Sequence, residues 1–179
     1  MRNRNRTRMA RLAGVLLMAM ADAIAQEKIS RQVVVSIPDR KLAVVENGRV
    51  VKVYTVAVGK PSSPTPDGRF QIENKIPNPT WYTPGRIVPP GPANPLGTRW
   101  LGLSVDGFGI HGTNNPNSIG HAASHGCIRM AKADIEELFS RVQVGDAVEF
   151  HAERDTVVAA LFSAEKTPAP AGASAAGGQ

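Results

Sequence analysis

Apolar residues in the first half of the chain fall in short runs with a two-residue beat. Residues 32–37 and 41–45 are rich in Val, Leu and Ala, and Pro38, Asp39 and Arg40 part them as a turn. Asn47-Gly48 is a strong two-residue hairpin signal. After it Val51, Val53, Thr55 and Ala57 alternate with Val50, Lys52, Tyr54 and Val56 across 50–58. The pattern predicts a β-meander. Thr65-Pro66-Asp67-Gly68 reads as another turn, and Phe70 and Ile72 alternate along the next strand. Further strands are predicted at 100–104, 107–111 and 147–151.

The periodicity changes in two places. Ile135, Leu138, Phe139 and Val142 are spaced i, i+3, i+4 and i+7, which predicts a helix over 134–142, with Asp134 and Glu137 as an acidic variant of the capping box. A second short helix is predicted over 155–164. Residues 76–97 hold seven prolines, with Trp81 and Tyr82 among them. Proline lacks the N–H that a ladder needs, so this stretch is expected to be a long loop, packed down by its aromatics. The class expected is mainly β, with one short helix after Cys127. Gly 17 and Pro 14 among 179 residues fit strands and turns and exclude a bundle, a coiled coil or a solenoid.

Charge qualifies the picture at the ends. The formal net charge is +6, but Arg2, Arg4, Arg6, Arg8 and Arg11 crowd the start, ahead of a short apolar run and Ala23-Ile24-Ala25. That is the order of a secretory signal peptide, expected over 1–25. Removing it takes away five arginines and one aspartate and leaves +2. The basic balance therefore belongs to the leader and does not argue for nucleic acid, and no stable membrane span is expected after cleavage. Residues 166–179, built of Ala, Gly, Pro and Ser with few others, read as a disordered tail.

The chemistry is concentrated. Three of the four histidines and the one cysteine lie between His111 and Cys127. Gly107-Phe-Gly109-Ile-His-Gly112 matches a dinucleotide fingerprint by letter, but Asn114-Asn115-Pro116 follows where a helix must begin. His121 and His125 have the i, i+4 spacing of zinc ligands, yet glycines bracket them and Ala122 stands where a metalloprotease carries Glu. Histidines on turns beside a buried thiol are a third reading. The fourth is nucleophilic catalysis by Cys127, with a histidine as base and the Gly126 and Cys127 amides as oxyanion donors. If 124–128 is extended, His125 shares a face with Cys127. His111, ending another strand, is equally eligible.

Ser124-His125-Gly126-Cys127-Ile128-Arg129-Met130, preceded by Ile110-His111-Gly112-Thr113, resembles the signature of the L,D-transpeptidase catalytic domain, the YkuD family. Residues 65–70, 94–97 and 100–103 resemble that family too, and the resemblance covers residues 31–151, the catalytic domain it implies. The resemblance implies a sandwich or barrel that acts on peptidoglycan stem peptides outside the cytoplasmic membrane, in the periplasm or cell wall, without metal or cofactor. It implies that Cys127 attacks the carbonyl of the third stem residue, usually diaminopimelate, and that an amine resolves the thioester. Some relatives use an outer-membrane lipoprotein lysine or water instead. It assigns the base to His111, oriented by the Gly112 carbonyl, with Ser124, His125 and Gly126 shaping the pocket and Arg129 suited to a substrate carboxylate. Twelve residues separate His111 from Ser124, fewer than in some branches, and Arg129 replaces an Asn found there. The alternatives are hydrolysis at the same site and a wall-binding module without activity. An intact Cys127 and His111 argue against the latter.

Overall fold

A computed structural model describes residues 29–163. The signal peptide expected over 1–25 and the tail expected over 166–179 lie outside these residues. Three strands open the chain, β1 (Arg31–Ser36), β2 (Lys41–Glu46) and β3 (Arg49–Thr55), paired antiparallel as a meander. β4 (Val58–Gly59), β5 (Gly68–Pro77), β6 (Trp81–Thr83), β7 (Arg86–Val88), β8 (Arg99–Leu103), β9 (Gly109–His111), β10 (Ala122–Ser124) and β11 (Ile128–Arg129) follow. Helix α1 (Lys132–Arg141), strand β12 (Ala147–His151) and helix α2 (Thr156–Ser163) complete the described chain. None of these helices is long and apolar enough to cross a membrane.

Eight strands form one sheet in the order β11-β9-β8-β5-β12-β1-β2-β3. The sheet curls. Beyond β3, Ala57 forms an antiparallel bridge to Arg129 of β11 and so joins one end of the sheet order to the other. The core inside the curl includes Val33, Val35, Leu42, Val44, Ile72, Leu101, Ile110, Ile128 and Phe150, and Ile135 and Leu138 of α1 pack into it.

The unbroken apolar runs of β1 and β2 have a structural reason. Strands covered on both faces lose the alternation of half-buried ones. Val158 and Phe162 of α2 pack with Ala43 on the outer side of β2, while Leu42 and Val44 face the main core. All of residues 33–36 and 42–45 are buried.

Two expectations need correction. The proline-rich stretch is not one loop. β5 runs to Pro77, and β6 pairs with β7 as Trp81↔Val88, Tyr82↔Ile87 and Thr83↔Arg86. Pro84 and Gly85 form the turn of that hairpin, where Gly85 has φ +76°, so the proline costs no ladder bond. Its aromatics do not pack it down either, since Tyr82 is 72% exposed. The fully buried Asn94 gathers the stretch instead. Its Nδ2 donates to the carbonyls of Pro79 (2.8 Å), Val88 (3.1 Å) and Pro89 (3.2 Å), and its Oδ1 accepts from the Leu96 amide (2.9 Å). The capping box is also absent. α1 starts two residues early, with Ala131 as an N-cap that makes no side-chain bond. Asp134 sits in the first turn, where a carboxylate favours the helix dipole, and Glu137 pairs with Lys52 (3.2 Å) and Arg141 (2.9 Å).

Asn94→Leu should therefore strip these carbonyls of their donor. A loss on the order of 2–3 kcal/mol is expected for buried acceptors left unpaired, read as a lower urea midpoint. A midpoint equal to the wild type would show that Asn94 does not hold the segment.

Candidate active site

The site grows from two short parallel strands. β9 and β11 pair as Ile110↔Ile128 and His111↔Arg129. Both isoleucines are fully buried in the core. Alternation then sends His111 and Arg129 to the opposite face, with Gly109 two residues before His111, while Cys127 sits in the bend that leads into β11. Ala57 braces Arg129 from the other side, donating to its carbonyl (2.8 Å) and accepting from its amide (2.9 Å).

His111 is 5% exposed. Its ring stacks on Trp100, its cross-strand neighbour on β8, with centroids 5.6 Å apart and planes at 25°. The indole has room because residue 109 is glycine; a Cβ there would lie 2.6 Å from the indole. Nδ1–H donates to the Gly112 carbonyl at 2.6 Å. That bond sets the tautomer and leaves Nε2 as an acceptor. Burial pushes the imidazolium pKa down to about 4; the Gly112 carbonyl opposes this, and Arg129 adds to it. The ring is thus neutral at physiological pH.

Cys127 is half-buried, with Sγ 3.6 Å from the Gly107 carbonyl. Burial pushes its thiol up, against the weaker pull of the Gly109 amide and Arg129. The turn before it is sharply bent. Gly126 has φ +112°, and a Cβ there would meet the Phe108 ring at 2.5 Å, so only glycine fits. Ser124 stitches the turn shut, with Oγ donating to the Cys127 carbonyl (2.6 Å) and accepting from the Gly126 amide (3.0 Å).

This geometry revises the reading of an extended 124–128 segment. His125 is exposed, and its Nε2 accepts from the Lys60 ammonium at 3.3 Å. Of the two expected oxyanion donors, the Gly126 amide is already committed to Ser124. The Cys127 amide has no partner among the described residues. No three His, Cys, Asp or Glu side chains converge as a metal site among those residues.

Thr65 is a site residue that the sequence reading took only as part of a turn. Its buried Oγ1 accepts from the Gly59 amide (2.8 Å) and donates to the Gly126 carbonyl (2.9 Å). It ties β4 to the cysteine turn across 61 residues of sequence, a distance that no local pattern reveals.

Comparison with known proteins places the chain in a family. Residues 30–150 match the family described as the L,D-transpeptidase catalytic domain. A Bacillus licheniformis protein named for the YkuD type of L,D-transpeptidase is 44% identical over 122 residues, 68% of this chain and 66% of that protein. An Escherichia coli protein named as the L,D-transpeptidase YbiS is 29% identical over 153 residues, 76% of this chain and 50% of that protein. The chain thus spans between half and two thirds of these relatives' length. Among solved structures, an L,D-transpeptidase from Mycobacterium smegmatis has the same fold, with a TM-score of 0.59, 24% identity, and coverage of 69% of this chain and 59% of that one. The L,D-transpeptidase LdtMt1 in complex with imipenem gives 0.58 and 26%, with coverage of 70% and 64%. The family match takes in both His111 and Cys127, and the chain belongs to the YkuD family of L,D-transpeptidase catalytic domains.

Proposed function

We propose that this chain is a peptidoglycan L,D-transpeptidase in which Cys127 is the nucleophile and His111 the general base. One observation carries the proposal. Cys127 immediately precedes β11 and His111 ends β9, the strand paired with it, and the imidazole, its tautomer fixed by the Gly112 carbonyl, leaves Nε2 without a proton and without a partner among the described residues.

The chemistry follows from that placement. The Cys127 thiol gives its proton to His111 Nε2 as sulfur attacks the carbonyl carbon of the third stem residue, diaminopimelate. The Cys127 amide donates to the oxyanion. His111 returns the proton to the amine of the fourth, D-configured residue, the C–N bond breaks, and a thioester remains. A second stem's side-chain amine then attacks the thioester, His111 takes its proton, and collapse releases the 3–3 cross-link and the thiol. Because burial disfavours both the imidazolium and the thiolate, the resting pair is neutral. Proton transfer then accompanies attack instead of preceding it. Arg129, beside His111, receives the α-carboxylate of the departing residue. The arginine-rich start followed by an apolar run supports export, which brings the enzyme to its substrate outside the cytoplasmic membrane.

Incubation with disaccharide-tetrapeptide, followed by mass spectrometry, tests the reaction. A cross-linked dimer is expected. A tripeptide alone would mean hydrolysis, and unchanged substrate a binding module.

His111→Ala should lower kcat by about 10²–10⁴, the usual size of a general-base effect, with little change in fold. His125→Ala should keep most of the Cys127 reactivity toward iodoacetamide. The opposite ranking would move the base to His125.

The rate of iodoacetamide alkylation should rise with pH and keep rising above the ordinary thiol range, since only the thiolate reacts and burial delays its formation. A plateau already reached below pH 7 would instead indicate a preformed thiolate–imidazolium pair.

A further inference from the structure

The proposed reaction places a positive charge on His111 twice, once as Cys127 attacks and again as the second amine does. The surroundings of the ring work against that charge. Burial disfavours it, and Arg129 on the paired strand adds to the penalty. On β8, Arg99 is engaged elsewhere, donating to the Thr98 carbonyl (2.7 Å) and lying over the Phe139 ring (5.4 Å). Cys127, at the head of β11, is the proton donor of the step itself. Among the described residues no Asp or Glu pairs with His111. The orienting partner of Nδ1 is the neutral carbonyl of Gly112.

An aromatic surface fills the remaining side. Trp100 and His111 are direct partners across β8 and β9, and their rings stack with centroids 5.6 Å apart and planes at 25°. The imidazole therefore lies over the face of the indole, which carries the negative lobe of its quadrupole. A cation within about 6 Å of an aromatic centroid is attracted, and Trp is the strongest such partner. The backbone reserves this place for the indole, because a Cβ on Gly109 would stand 2.6 Å from it. The attraction is small for a neutral imidazole and grows as the proton arrives. An interaction that strengthens along the reaction raises kcat, whereas one present throughout does not.

We propose that Trp100 stabilises the imidazolium of His111 through its π face, and so serves the electrostatic role that a carboxylate has beside the histidine of a Ser-His-Asp triad. Trp100 acts through the base and touches no substrate. The proposal rests on His111 being the base of the transpeptidase reaction.

Fluorination separates the electrostatics of the indole from its shape. Each fluorine draws density out of the π face and leaves the outline of the ring nearly unchanged. The chain holds two tryptophans, Trp81 and Trp100, so Trp81→Phe leaves Trp100 as the one labelled site. This protein is prepared with ordinary, monofluorinated, difluorinated, trifluorinated and tetrafluorinated tryptophan. The titration of His111 is followed by NMR of its ring in the Cys127→Ser form. From the ordinary to the tetrafluorinated indole the imidazolium should become about tenfold more acidic, in steps that follow the fluorine number. With Cys127 intact, kcat on disaccharide-tetrapeptide should fall by a similar factor while KM stays nearly constant. A packing role alone predicts no such trend. Constancy of either the His111 acidity or kcat across the series would overturn the proposal, as would an imidazolium that becomes less acidic. If the wild type leaves the stem unchanged, the transpeptidase reading fails, and the titration decides the role of Trp100 by itself.

Discussion

Two backbone hydrogen bonds between Ala57 and Arg129 hold the site in the fold. β11 is only two residues long, and a strand that short has little pairing energy of its own. It is kept in register because β9 binds one edge and Ala57 the other. The same bridge closes the curl of the sheet, so the barrel and the cysteine turn share one constraint. Thr65 and Ser124 then act within a frame that is already closed. Thr65 pins the Gly126 carbonyl to β4, and Ser124 ties the turn to itself. Cys127 is thereby held between a strand on one side and a laced turn on the other.

Within that frame burial does two jobs. It shields the thiol and the imidazole from water, and it penalises their charged forms. The indole of Trp100 covers one face of His111, and the Gly112 carbonyl fixes its tautomer, so the ring has one orientation and one free nitrogen. A buried pair that stays neutral at rest avoids the cost of an isolated ion pair. It also spares the thiol the oxidation that a standing thiolate would invite. Arg129 tempers the penalty on Cys127 but increases it on His111. Its position thus favours a thiolate that forms as the proton leaves.

Much of this was legible in the chain. Alternation and turn chemistry gave the meander, the Asn47-Gly48 turn and β12, and the i, i+3, i+4 spacing gave α1. Residue chemistry narrowed the site to the stretch from His111 to Cys127 but left two histidines eligible. Their difference lies in what each touches: Gly112 and Trp100 for His111, Lys60 for His125. The misreadings have a common source. Proline density is a local signal, yet the hairpin at 81–88 survives because its proline falls in the turn. Asp134 and Glu137 satisfy the spacing of a capping box, but Met130 is drawn to the His111 carbonyl (2.8 Å), and the chain enters the helix at Lys132 before that box can form. Thr65 and Lys60 make their contacts across 61 and 65 residues of sequence, which alternation and turn chemistry cannot reveal.

The proline-rich segment and His111 are mechanically one unit. Asn94 draws in the carbonyls of Pro79, Val88 and Pro89, and its own carbonyl accepts from the Gly97 amide (3.1 Å). Gly97 in turn lies against Gly112, close enough that a Cβ on Gly97 would meet the Gly112 Cα at 2.8 Å. Gly112 is the residue whose carbonyl holds the His111 ring. A cavity of about 380 Å³ opens along this line of contact, with Asn94, Gly97, Thr98, Gly112, Thr113 and Lys132 in its wall. Anything that presses on that wall presses on the backbone that sets the tautomer of His111. The segment is therefore tied, through its packing, to the backbone that orients His111.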